Sequence, residues 1–344
     1  LGLSATSTTA VTTSATPDTD NTGGMGAEFG IGASVALLVA SNETVAAVKG
    51  NALDVSTQTG DVGNQTLAAT ADHDATTTAE AGGTGSGGGV AIGGAVAISV
   101  IDNTTTTDLG DSGTVQSSGN VQATTTHSGD SSTTADGTTL GGSTAIGAAI
   151  ALAFVDNQGH STLRRDAQAG GTVALSALVD GASSSTAKAS TAGADTSEAM
   201  DADSQRDEQT GFANDRSGGG LDASTSSTDT DSASSGGSGV SVGAALSVNV
   251  SDSVAEATVG TASTATSLTA GGLILHSTNN MDASAEADGS AAGGASGTAV
   301  GVGVAINVAD MDNSAGVLEM ATVSITGNGG IVASAGMKAT DDSV

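Results

Sequence analysis

Five times along the chain, a run of small and aliphatic residues alternates strictly in size. That alternation narrows the folds open to the sequence more than any other feature. The copies are FGIGASVALLVASN (29–42), VAIGGAVAISVIDN (90–103), TAIGAAIALAFVDN (144–157), VSVGAALSVNVSDS (240–253) and VGVGVAINVADMDN (300–313). In the second copy Val90, Ile92, Val96, Ile98 and Val100 share one parity, and Ala91, Gly93, Ala95, Ala97 and Ser99 share the other. The third copy sets Ile146, Ile150, Leu152 and Phe154 against Ala145, Gly147, Ala149, Ala151 and Ala153. A period of two is the mark of an extended strand, whose successive side chains point to opposite faces. A helix would place its large residues at i, i+3 and i+4, and glycine and β-branched residues disfavour it further. Membrane-spanning helices need about 20 apolar residues, and these runs stop well short of that. Each run therefore predicts a strand on the order of 40 Å long.

Composition alone argues for disorder. Val, Leu, Ile and Phe together supply 60 of 344 residues, and the formal charge is −30. So few large apolar residues with so much charge ordinarily leave a chain unfolded. Stacked coils escape that limit, because each coil pairs its whole backbone with the coils above and below. The expected interior is a narrow column of Val, Ile, Leu and Ala. The Ala/Gly/Ser parity is then expected on the other face. There it lies under a neighbouring coil or bends the strand at a corner, or else it forms a flat face that packs on another molecule.

Aligning Gly32, Gly93, Gly147, Gly243 and Gly303 gives spacings of 61, 54, 96 and 60 residues. Asp-Asn or Asp-Ser follows four of the copies, at Asp102, Asp156, Asp252 and Asp312, and suits a turn. Recurrent Asn42, Asn103, Asn157 and Asn313 would line it. A Thr/Ser/Ala segment then leads to a second strand signal, as in GNVQAT at Gly119, GTVALSA at Gly171, GGLILHS at Gly271 and GGIVASA at Gly329. One unit of about 60 residues thus reads as two or three short coils. The expected organisation is an N-terminal flank or first irregular coil at 1–28 and an elongated, all-β, parallel β-solenoid over 29–344. An acidic, Ser/Thr-rich insertion at 196–234 accounts for the long spacing.

The strands of the AIGGAVAISVIDN type, their Asp-Asn-Thr stops and the following G-x-V-x-A strand resemble the repeat region of large bacterial filamentous adhesins. These are the leukotoxin-type and filamentous-haemagglutinin-like exoproteins, and the resemblance covers residues 29–344. It implies a right-handed parallel β-helix, secretion to the cell surface, and a role in attachment or in an extracellular fibre. It carries no catalytic residue onto this chain.

Seven Lys and Arg against 37 Asp and Glu argue against nucleic acid and against anionic membrane surfaces. Zero Cys excludes disulfides and thiolate metal sites. Four histidines, His73, His127, His160 and His276, stand in unrelated contexts, and Asp72-His73-Asp74 reads as a solvated loop rather than a metal site. GSGGG at Gly85 lacks the Lys of a phosphate loop. Asp201, Asp203 and Asp207 resemble a calcium loop only loosely, with Arg206 and Phe212 where Gly and Glu belong. Thr104–107, Thr76–78 and Thr124–126 are placed in connections, not in one repeated strand position, which weighs against ice binding. The sequons at Asn42, Asn64, Asn103 and Asn249 are common by chance in a Thr-rich chain.

The expected function is therefore structural: an extracellular or cell-surface segment or subunit of a bacterial adhesin or filament. It is not an enzyme, and no residue is assigned a catalytic, cofactor-binding or metal-ligating role. No cofactor is expected, calcium being the open candidate. Self-association would run end to end through uncapped coils, or laterally through the Ala/Gly/Ser faces. Surface glycans are possible partners, while nucleic acid and membrane insertion are not expected. The alternative is a ligand-binding solenoid module for calcium, glycan or ice.

Overall fold

The computed structural model describes residues 1–17, 29–49, 52–55, 65–87, 89–141, 143–193, 239–292 and 297–337. Among them the protein is all-β, with no helix, and every strand pairing is parallel. Two sheets hold long strands. Sheet I comprises β1 (Gly2–Ala15), β4 (Leu67–Gly82), β8 (Val121–Asp136), β12 (Thr172–Lys188), β16 (Gly272–Asp288) and β20 (Ile331–Met337), in that order. Sheet II comprises β2 (Phe29–Ala47), β6 (Val90–Asp108), β10 (Thr144–Leu163), β14 (Val240–Val259) and β18 (Thr298–Val317).

Two sheets of short strands lie between them in sequence. Sheet III holds β3 (Ala52–Val55), β7 (Thr114–Ser117), β11 (Asp166–Ala169), β15 (Thr266–Ala270) and β19 (Ala321–Ile325). Sheet IV holds β5 (Gly85–Gly87), β9 (Thr139–Gly141), β13 (Thr191–Gly193) and β17 (Ala291–Ala292). The chain runs through II, III, I and IV and returns to II one strand further along. Of the flank or first irregular coil expected at 1–28, residues 2–15 form strand β1, the edge of sheet I, paired with β4 from Gly2 to Ala15, and 18–28 lie outside the described residues.

One sequence unit is thus one large circuit, not two or three short coils. The difference lies in the Thr/Ser/Ala segments, which stay extended and form an entire side. β8, for example, continues from Val121 through TTTHSGDSSTTAD to Asp136. The Asp-Asn pair does not end a strand either, since β6 runs on to Asp108 and β10 to Leu163. The register aligns Gly32, Gly93, Gly147 and Gly243 as expected, but with Gly301 rather than Gly303 in the fifth strand. The last spacing is therefore 58 residues, and Asn313 falls two places beyond the Asn column.

The facing of sheet II is the reverse of the expected one. Ala91, Gly93, Ala95, Ala97 and Ser99 are buried, while Ile92 and Val100 are exposed and Val90, Val96 and Ile98 half-buried on the outer side. The Ala/Gly/Ser face lies inside, against sheet I, and so cannot be the surface through which copies join. The reason is charge. Asp102, Asp156 and Asp252 share the parity of the large aliphatics, and turning that parity inward would bury a column of carboxylates with no cation to meet them.

The interior changes along the strands. At the end next to sheet III it is aliphatic, with Leu67, Val115, Val121, Leu163, Leu175, Leu268, Leu273 and Leu275 in one cluster. At the sheet IV end it is almost wholly alanine, including Ala36, Ala95, Ala97, Ala135, Ala149, Ala151 and Ala187. Alanine on both inner faces lets the two long sheets approach closely.

The glycine column follows from that approach. A Cβ on Gly147 would stand 2.6 Å from the Gly137 carbonyl oxygen, and one on Gly301 2.2 Å from that of Gly289, both on the corner leading into sheet IV. Gly147→Ala should therefore lower stability by about 1–3 kcal/mol through overpacking. Gly94→Ala, on the outer side with no atom within 4 Å of its added methyl, should stay within about 0.5 kcal/mol of the parent. Urea unfolding of the two variants side by side checks this, and equal stability would refute the packing account.

Candidate interaction surface

Stacking in register turns each repeated residue into a column about 4.8 Å apart from strand to strand. On the outer side of sheet II the columns are Ile31/Ile92/Ile146/Val242/Val300, then Val35/Val96/Ile150/Leu246/Val304, Leu37/Ile98/Leu152/Val248/Ile306 and Val39/Val100/Phe154/Val250/Val308. In the interior strands these side chains are half-buried or exposed, reaching 40% at Val100 and 41% at Phe154. No charged residue lies within the four columns.

The next outward column is Ser41/Asp102/Asp156/Asp252/Asp310. Burial pushes the Asp156 carboxyl above the usual carboxylate range; hydrogen bonds from Gln158 oppose this, and the like charges of Asp252 and Asp102 add to it. Past this line the face becomes polar. His160 meets Glu256 at 3.1 Å, and Arg164 meets Asp108 at 2.6 Å. The His160 hydrogen bond holds the Glu256 carboxyl below its ordinary value against the effect of burial. His160, Glu256 and Arg164, with Thr106, Thr162, Thr258 and Leu318, line an open cleft of about 500 Å³. The register brings His160 and Glu256 together from 96 residues apart, which spacing in the sequence does not announce.

Sheet I turns hydroxyls outward. Ser4, Thr6, Thr8 and Thr12 on β1 and Thr124 on β8 are exposed. The threonine runs thus lie in strands, not in connections. Carboxylates interrupt them: the column through Thr8 continues as Asp74, Ser128, Asp180 and Asn280. Asp72 and Asp74 face out while His73 between them is buried, so alternation keeps that triplet from closing on one ion. It is strand, not a solvated loop.

His73 and His127 are neighbours in the interior, ring centroids 5.3 Å apart and edge-to-face. Beside them runs an amide ladder: Asn42 Nδ2 donates to Asn103 Oδ1 at 2.8 Å, and Asn103 Nδ2 to Asn157 Oδ1 at 2.9 Å. His127 bonds Thr105 Oγ1 through Nδ1 and Asn157 Oδ1 through Nε2, each at 3.0 Å. The sequon amides of Asn103 and Asn249 are therefore engaged inside the fold and not offered to a glycan. Among the described residues no group of three or more His, Asp or Glu is placed to hold a metal ion, and no helix is long and apolar enough to cross a membrane. Asn64, Asp201, Asp203, Asp207 and the insertion at 196–234 lie outside the described residues.

What sets this chain apart chemically is therefore a surface rather than a pocket: an uncharged aliphatic field bordered by a line of carboxylates. Comparison with family models, with characterised proteins and with solved structures finds no match to this chain.

Proposed function

We propose that the four sheets are the sides of one right-handed parallel β-solenoid, and that the chain serves as a non-catalytic structural segment or subunit of an extracellular bacterial adhesin or filament. The single observation that carries this reading is the unbroken in-register parallel ladder, from β2 through β18 in sheet II and from β1 through β20 in sheet I. Such a stack transmits its geometry along one axis through backbone hydrogen bonds, and its end strands present unpaired backbone to a further strand. The handedness follows the near-universal preference of parallel crossovers. The resemblance to filamentous adhesin repeats and the acidic, cysteine-free composition support the same reading.

Each circuit adds only about 4.8 Å, so the described circuits are about 25–30 Å deep, whereas a twenty-residue strand spans about 65 Å. Length along the axis then comes from joining circuits or copies. Electron microscopy of concentrated protein should show fibres or stacked ribbons whose diffraction has a meridional spacing of about 4.8 Å. Single particles at every concentration, with a melting temperature raised by calcium or by a glycan, would replace this proposal with the ligand-binding alternative. The hydroxyl-rich outer face of sheet I is the feature that favours that alternative.

A further inference from the structure

We propose that the aliphatic face of sheet II is covered by the same face of a second copy, and that the pair is related by a two-fold axis parallel to the direction in which the strands stack. The inference concerns a lateral contact, independent of whether copies also join end to end.

Area is the first argument. Eleven residues along a strand span about 36 Å and five strands about 24 Å, so the field covers roughly 800 Å². Monomeric soluble proteins rarely leave a contiguous apolar patch that large open to water. Two such faces in contact would bury about 1,600 Å², the size of a stable specific interface. The face is also made of regular columns of Val, Ile and Leu on a sheet, and such a surface can mate with its own copy at the usual sheet-to-sheet distance of about 10 Å.

Charge selects both the occupant and the axis. The bordering column of Asp102, Asp156, Asp252 and Asp310, together with the net charge of −30, repels an anionic lipid surface. A two-fold axis along the strands would lay each Asp column over its copy about 10 Å away. An axis along the stack, passing through the Ile150 column, instead sends the two Asp columns to opposite borders. They are then about 40 Å apart, beyond several screening lengths. Only the second arrangement buries the aliphatic field without setting carboxylates against carboxylates. In it the facing strands run antiparallel and each strand meets its own equivalent.

Sedimentation velocity over a range of concentration and salt tests the pairing. The expected result is a twofold mass that becomes more stable as salt rises. Ile150→Lys, at the centre of the field, should weaken association at least tenfold. Thr124→Lys on the outer face of sheet I should leave it unchanged. The chain has no cysteine, so single-cysteine variants report the axis without background. Ile150→Cys should join two copies through a short bis-maleimide, and Asp156→Cys should not. Equal crosslinking at both positions would overturn the axis. A wild-type protein that stays monomeric at all concentrations, or binds neutral phosphatidylcholine vesicles as a monomer, would overturn the pairing. If Ile150→Lys misfolds by circular dichroism, the cysteine pair and the wild-type mass still decide the question.

Discussion

Replacing Asn157 by leucine should cost the fold about 3–5 kcal/mol, although the two side chains are close in size. The carbonyl oxygen of Asn157 accepts from Asn103 Nδ2 and from His127 Nε2, and all three residues are buried. Leucine removes the acceptor and leaves two buried donors without partners. Each abandoned group costs about 1–3 kcal/mol, because the desolvation is no longer offset. The remaining bond, from Asn157 Nδ2 to Met281 Sδ at 3.8 Å, is weak and adds little. In a chain of this length the loss should appear as a fall of about 4–7 °C in melting temperature. Asn157→Ser should do less harm, since serine already stands at that column in β14 as Ser253. Equal melting temperatures for Asn157→Leu and the parent would show that the ladder contributes nothing net.

Acidification should weaken the fold well above the range in which carboxylates titrate. Burial lowers the His127 pKa to about 4 from 6.5, with the Asn157 hydrogen bond opposing and His73 adding to the shift. Burial likewise lowers His73, while Asp74 and Asp72 oppose. A base whose pKa is depressed on folding takes up its proton in the unfolded state first. Its contribution is complete at pH 7 and drains away as pH falls from 6.5 towards 4. For His127 alone the span corresponds to about 3 kcal/mol. Asp156 works the other way, because its raised pKa makes protonation favour the folded state. Melting temperatures should therefore decline between pH 6.5 and 4.5. In His127→Gln, which keeps an amide donor at that position, the decline should be markedly shallower. Parallel profiles for the two proteins would exclude the buried histidine as the cause.

The strands themselves were legible because period-two alternation in five copies has no helical explanation. The second strand signals after Gly119, Gly171, Gly271 and Gly329 were legible too, and they mark where β8, β12, β16 and β20 begin. The length of those strands was hidden. Past the first few residues, Thr, Ser and Asp alternate with Ala and other Thr, and hydrophobicity no longer separates the two faces. The orientation of sheet II was written in the sequence but required following the parity through Asp102 to Asp108 rather than stopping at the Asp-Asn pair. Size alone misleads here, since the interior is narrow and takes the smaller residues while the larger ones stay out. The meeting of His73 with His127, and of His160 with Glu256, depends on register across circuits. The slip from Gly301 to Gly303 shows how easily repeated Gly and Val blur that register.

The corner between sheet IV and sheet II separates chain length from strand registration. Two residues join β5 to β6 and β9 to β10, whereas 46 join β13 to β14, yet β14 pairs with β10 residue for residue from Thr144 and Val240 onward. Closing a longer loop costs only slowly more entropy, and the ladders on either side fix where the chain must re-enter. That corner is thus a natural port for grafted sequence. A peptide or small domain spliced there would be carried on the edge of the stack, repeated wherever a circuit is repeated, with the underlying sheets left as they are.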